Sequence, residues 1–168
     1  MRRKLLVATT SEGKLKEIEH FFSTLHFLQL VSLRDLGKTI PEPEETGSTI
    51  EENAMLKARY YACESGLLTL ADDTGLFIDA LKGWPGVESA RIATTNEERC
   101  QWLLERLKSI PKEKRTARFR GCAALFDPLQ NTTFSATDEL AGSIVGKSVT
   151  DSVQQSWGYN SLFYIPEV

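Results

Sequence analysis

The chain has 168 residues, of which 41% are apolar and 26% charged, and its formal net charge is −3. That size suits one domain, or two lobes sharing a core, without help from disulfides or a structural metal. The balance excludes a disordered chain and a general nucleic-acid binder, which needs a basic face. No apolar run approaches the ~20 residues of a membrane-spanning helix, so no membrane partner is expected.

Leu5-Leu6-Val7-Ala8 follows a basic start and is too short for a signal-peptide core, so it reads as a first buried strand. A polar turn, Thr9-Thr10-Ser11-Glu12-Gly13-Lys14, leads into a helix with Leu15, Ile18, Phe22 and Leu25 on one stripe. Leu28–Leu33 is the next strand, giving the strand–loop–helix–strand start of an α/β fold. Residues 34–47 form a loop punctuated by Gly37, Pro41, Pro43 and Gly47, with Glu42, Glu44 and Glu45 bunched in it. Ser48 or Thr49 caps a helix running to Ser65-Gly66, with Glu51 or Glu52 completing a capping box. Its buried stripe is Ile50, Ala54, Ala58, Tyr61 and Ala62.

Leu67–Ala71 is a buried strand that ends in a turn, Asp72-Asp73-Thr74-Gly75, and Leu76–Leu81 follows. After a loop with Gly83-Trp84-Pro85-Gly86, residues 95–108 form a helix on the spacing Cys100, Leu103, Leu104, Leu107. From Arg115 the pattern changes to period two, and after the turn at Asp127-Pro128 two further strands are expected, Thr132–Thr137 and Leu140–Val145. Cys63, Cys100 and Cys122 form no C-x-x-C pair; each has apolar neighbours and is expected to be buried and reduced, which fits a cytoplasmic location. His20 and His26 flank a helix and read as surface residues.

Four places can carry chemistry. The turn at residues 9–14 joins a strand to a helix, so its backbone N–H groups, the hydroxyls of Thr9, Thr10 and Ser11, and the Lys14 ammonium suit a phosphate, although such a turn also serves simply as a helix cap. Asp72 and Asp73 follow an apolar strand, where their charge needs a compensating partner, and a divalent cation supplies one; a turn acid is the other reading. The acidic loop with Glu45 is followed by Asn53 and Lys57, four apart on one helix face, with Lys57 beside the buried stripe. Trp157-Gly158-Tyr159-Asn160 offers aromatic surface for a base, or core packing. Together these supply groups for phosphates, a metal and a base, which is the chemistry of a nucleotide.

In sequence, Ala8–Ile18, then Glu45–Ala54 with Lys57-Ala58, then Ala71–Leu76 with Asp79–Leu81, Gly83, Pro85-Gly86-Val87 and Ser89-Ala90-Arg91, the chain resembles the Ham1-like family of non-canonical purine nucleoside triphosphate pyrophosphatases (inosine/xanthosine triphosphate pyrophosphatases). The resemblance is close over residues 5–91 and looser over 115–165. It implies an α/β fold with a long mixed central sheet dividing two lobes, a nucleotide cleft between them, and a homodimer. The implied activity is Mg²⁺-dependent hydrolysis of ITP, dITP or XTP to the monophosphate and pyrophosphate, which cleanses the nucleotide pool. By position, Thr9, Thr10, Ser11, Glu12, Gly13 and Lys14 hold the triphosphate, and Lys57 neutralises it. Glu45 and Asp73 bind Mg²⁺, Asp73 also takes the proton from water, Thr74 contacts substrate, and Trp157, Gly158, Tyr159 and Asn160 face the base.

The chain departs from the family pattern in places. Ser11 stands where the family has Asn, and Asn160-Ser161 where it has Asp-Pro, and Ser152–Ser156 lacks a glycine-rich approach. The single two-lobed domain of residues 1–168 is expected to lack the family's C-terminal segment, with its Lys and Ser-His-Arg. Two alternatives therefore stand beside the enzyme: a nucleotide-binding protein with little turnover, and a pyrophosphatase with shifted base preference, since Asn donates as well as accepts hydrogen bonds.

Overall fold

The computed structural model describes residues 2–146 and 158–166. Its strands are β1 (Arg3–Val7), β2 (Leu28–Ser32), β3 (Leu68–Ile78), β4 (Pro85–Gly86), β5 (Thr116–Asp127), β6 (Thr132–Ile144) and β7 (Phe163–Tyr164). Its helices are α1 (Glu12–Phe22), α2 (Ile50–Ser65) and α3 (Asn96–Arg106). The strands form a mixed sheet in the order β2-β1-β3-β5-β6-β7, with β4 against β3. The expected α/β class with a long mixed sheet is what the chain adopts.

Two compact units divide the chain. One holds the residues up to Asp73 together with Gly121–Thr137, and the other holds Thr74–Arg120 together with the chain from Asp138 on. In the first unit, β1 pairs parallel with β2 on one side (Leu5 opposite Leu30) and with β3 on the other (Leu5 opposite Leu68). Both edges of β1 are therefore paired, and the burial of successive residues Leu5, Leu6 and Val7 shows that both of its faces are covered as well. The chain leaves β1 outward to β2 and returns past it to β3. Right-handed crossovers in opposite directions put α1 and α2 on opposite faces and open a crevice at the carboxyl ends of β1 and β3.

The helix signals in the sequence are used as read. Ser11 caps α1, and its Oγ accepts from the Lys14 N–H. Thr49 and Glu52 form a capping box on α2, which ends at Gly66 with φ +71°. The expected α2 stripe is buried, and Asn53 is buried with it. By contrast, α1 buries none of its residues fully; Leu15, Ile18 and Phe22 are only half-covered. The second unit has its own core, in which Leu103 and Leu107 of the α3 region pack with Leu76, Ile78, Ile144 and Leu162.

Three expectations need correction. The strand expected to stop at Ala71 runs on through Asp72, Asp73, Thr74 and Gly75 to Ile78. The two acids do not force a turn, because lysines elsewhere in the chain neutralise them. Gly75 lets the strand lie close to its neighbour: a Cβ there would sit 2.5 Å from the Gly86 carbonyl oxygen. The two strands expected over 132–145 are one, β6, because the intervening Glu139 points to solvent and pairs with Arg118 and Arg120 at 3.7 and 3.8 Å. Finally, of the three cysteines only Cys122 is buried. Cys100 is half-covered, and Cys63 is exposed on the outer side of α2 next to the exposed Glu64.

Candidate functional site

The site is built from β1's carboxyl end outward. The Ala8 N–H donates to the Leu70 carbonyl at 2.8 Å, which keeps the chain alongside β3 until the turn begins and brings that turn level with Asp72. Within the turn, Thr9 Oγ1 accepts from the Ser11 N–H at 3.2 Å, and Ser11 Oγ accepts from the Lys14 N–H at 3.4 Å. Ser11 therefore serves as the helix cap. Helix geometry leaves the N–H groups of Glu12 and Gly13 without intrahelical acceptors, at the positive end of the α1 dipole. The Glu12 carboxylate turns away to the Arg34 guanidinium at 2.8 Å, which holds its pKa below the usual value. Only the backbone of Glu12 is then directed to an anion.

Successive strand residues point to opposite faces. Asp72 and Asp73 therefore meet different helices. Asp72 accepts a short hydrogen bond from Lys14 Nζ of α1. Asp73, 8% exposed, faces α2, where Lys57 Nζ donates to its Oδ1 at 3.0 Å. The same ammonium donates to Glu45 Oε1 at 2.8 Å. Lys57 thus bridges the two carboxylates that the sequence reading assigned to metal. The sequence spacing put Lys57 beside the buried stripe; the fold turns its head inward.

Electrostatics follow from this packing. Burial alone would lower the Lys57 pKa, but the hydrogen bond and charge of Glu45 with the charge of Asp73 outweigh it and hold the ammonium above its ordinary value. Burial pushes the Asp73 carboxyl up. The Lys57 ammonium pulls it back only in part, Glu45 adds to the rise, and Lys14 opposes it.

Glu45 is delivered by a loop that touches α2 through its backbone. The Gly47 N–H donates to Asn53 Oδ1 at 2.8 Å, and Asn53 is fully buried. A Cβ on Gly47 would lie 2.5 Å from that oxygen, 2.8 Å from the Glu52 Cβ and 3.0 Å from the Asn53 backbone nitrogen. Gly47→Ala is therefore expected to cost about 1–3 kcal/mol in a urea melt. Because the loop must shift, added Mg²⁺ should raise the melting temperature of the variant less than that of wild type; equal shifts would show that this contact does not position Glu45.

The donor set can be tested against a hard divalent cation. Asp73 Oδ2 is buried without a hydrogen-bond partner, and such an atom is costly unless something approaches it. Glu45 and Asp73 supply two carboxylates, and among the described residues no cluster of three or more His, Cys, Asp or Glu side chains is present. Two carboxylates completed by waters and phosphate oxygens suit Mg²⁺ better than a closed protein cage would. The residues fit the ion.

The segment expected to face the base belongs to the second unit. Trp157 lies outside the described residues. Gly158 has φ +60°, and Asn160 is exposed. Tyr159 is 2% exposed and donates its hydroxyl to the Ser89 carbonyl at 2.8 Å, and burial pushes its pKa well up. Its ring is a core element of that unit. Thr74 is the next residue of β3 after Asp73 and is half-buried. Sequence reasoning gave no site role to Gly47 and did not pair Lys14 with Asp72, since neither contact leaves a local signal.

Comparison with known proteins places the chain. The family model described as the Ham1 family matches residues 5–168. A dITP/XTP pyrophosphatase of Geobacter sulfurreducens is 43% identical over 98% of this chain and 81% of its own length. That of Haemophilus influenzae is 39% identical over 99% of this chain and 85% of its own. Among solved structures, a HAM1 protein from Coxiella burnetii superposes with a TM-score of 0.85 at 32% identity, covering 98% of this chain and 82% of the other.

Proposed function

Since the chain belongs to the Ham1 family, we propose that it is a hydrolase that converts non-canonical purine nucleoside triphosphates, dITP, XTP and ITP, to the monophosphate and pyrophosphate. The observation that carries this reading is the Lys57 ammonium held between Glu45 and Asp73, beside the Lys14–Asp72 pair at a phosphate-type turn.

The chain's residues divide the work. The turn from Thr9 to Lys14 takes the triphosphate through the N–H groups of Glu12 and Gly13 and the Lys14 ammonium. Lys57 supplies a fixed positive charge for the negative charge that develops on the transferring group. A water oxygen attacks the α-phosphorus while the bond to the bridging oxygen breaks and pyrophosphate leaves. Asp73 takes the water's proton. Its buried Oδ2 carries no hydrogen bond and can accept that proton. Glu45 and Asp73 would hold Mg²⁺, which supplies Lewis-acid charge at the phosphate oxygens when bound. Thr74, Gly158 and Asn160, together with Trp157, are proposed as further substrate contacts, whereas the buried Tyr159 ring serves as core and not as a face for the base. A homodimer is inferred from family membership, and the absence of paired cysteines among the described residues fits a reducing cytoplasm.

Incubation with Mg²⁺ and a panel of ITP, dITP, XTP, dUTP, ATP and GTP tests the proposal. Pyrophosphate is expected from the first three, far faster than from ATP or GTP. No release from any of them would leave a nucleotide-binding protein instead. The exposed Asn160, where the family has Asp, favours a second outcome in which the order among the purines is altered.

A further inference from the structure

We propose that Asp72 is a positioning residue that holds the Lys14 ammonium until a substrate phosphate takes it over, and reclaims it when pyrophosphate leaves. This rests on the reading of Thr9–Lys14 as the phosphate turn.

Lys14 Nζ donates to Asp72 Oδ2, and the two side chains are 22% and 24% exposed, so an anion in solvent can reach the pair. Asp72 lies on the face of β3 opposite Asp73, so its carboxylate draws Lys14 away from the Glu45–Lys57–Asp73 group. Asp73, the next residue on β3, pairs instead with Lys57 at 3.0 Å. Asp72 therefore keeps one lysine for phosphate and leaves the other two carboxylates to Lys57 and a cation. Lysine suits this exchange, because its compact charge sits on a flexible four-carbon stem and does not need a bidentate partner.

Such a latch has a thermodynamic signature. A phosphate gains only the difference between its own contact with Lys14 and the Asp72 contact it breaks. Affinity for the anion is lowered, for the substrate and for the pyrophosphate product alike, and product release is eased. Removing the Asp72 charge should strengthen anion binding through Lys14.

The test is calorimetric titration of inorganic pyrophosphate, in EDTA, into the wild-type chain, Asp72→Asn, Lys14→Met and the double variant. Asp72→Asn is expected to bind about tenfold more tightly than wild type, the scale of one charge-assisted hydrogen bond. In the Lys14→Met background the same change should alter affinity less than about twofold, because the contact it relieves is gone. Equal tightening in both backgrounds would reduce Asp72 to a general charge and overturn the latch. So would unchanged or weaker binding by Asp72→Asn while Lys14→Met loses affinity. If Lys14→Met binds pyrophosphate as well as wild type, the phosphate reading of Lys14 fails, and the latch with it. Asp72→Ser is carried in parallel, so that a folding defect in one variant does not decide the result.

Discussion

Asp73→Asn is expected to lower pyrophosphate release from ITP by about 10²–10⁴-fold, the usual contribution of a positioned general base. Asn keeps the shape of the side chain, so the loss would come from the missing carboxylate, the proposed base and metal ligand, and not from a collapsed strand. The stability change has a definite sign. Burial raises the folded-state pKa of Asp73 above its unfolded value, so its ionised form costs stability at neutral pH, and the cost fades as pH falls through the folded pKa. The variant should therefore melt no lower than wild type at neutral pH, and any advantage should shrink on acidification. A rate within a few-fold of wild type would remove Asp73 from the base role. A melting temperature far below wild type at neutral pH would mean that its pairing with Lys57 outweighs its burial.

Lys57→Met should cut turnover by about 10²–10³-fold, the scale of losing one preorganised electrostatic contact to a developing charge. It should also destabilise the chain, unlike the change at Asp73. Glu45 and Asp73 would face each other without the ammonium that now lies 2.8 and 3.0 Å from them. Removing one partner from a mostly buried ion group costs up to about 3 kcal/mol. The raised pKa of Lys57 places its contribution at all pH values below the ordinary lysine range, so the loss is fully present at pH 7. Mg²⁺ should restore much of that stability, since a cation between the two carboxylates replaces the lost charge, and it should raise the melting temperature of the variant more than that of wild type. Equal thermal shifts in the two proteins would show that Lys57 is not the internal counter-ion of the pair.

The local grammar of the chain was readable. Thr49 and Glu52 act at one helix end within three residues of each other, and the buried stripe of α2 repeats at helical spacing, so both leave a pattern in a short window. The Ser11 cap of α1 is local for the same reason. The course of β3 was not readable. Two adjacent aspartates resemble a turn unless their partners are known, and those partners lie 58 residues away in Lys14 and 16 away in Lys57. Glu139 misled in the same way, because the arginines that pair with it sit on β5. The exposure of Cys63 is not legible in the sequence, since apolar neighbours in sequence are not neighbours in space.

Sequence alone, then, determined the α/β class and the order of most elements, because residue type and short-range period specify those. Tertiary structure decided which charges meet. Strand alternation sent Asp72 to α1 and Asp73 to α2, and the crossing of the chain over β1 set the two helices on opposite faces. Only then did Lys57 come to lie between Glu45 and Asp73, and Lys14 against Asp72. The physical reason is that side-chain pairing depends on distances fixed by the fold, and those distances are not encoded in spacing along the chain.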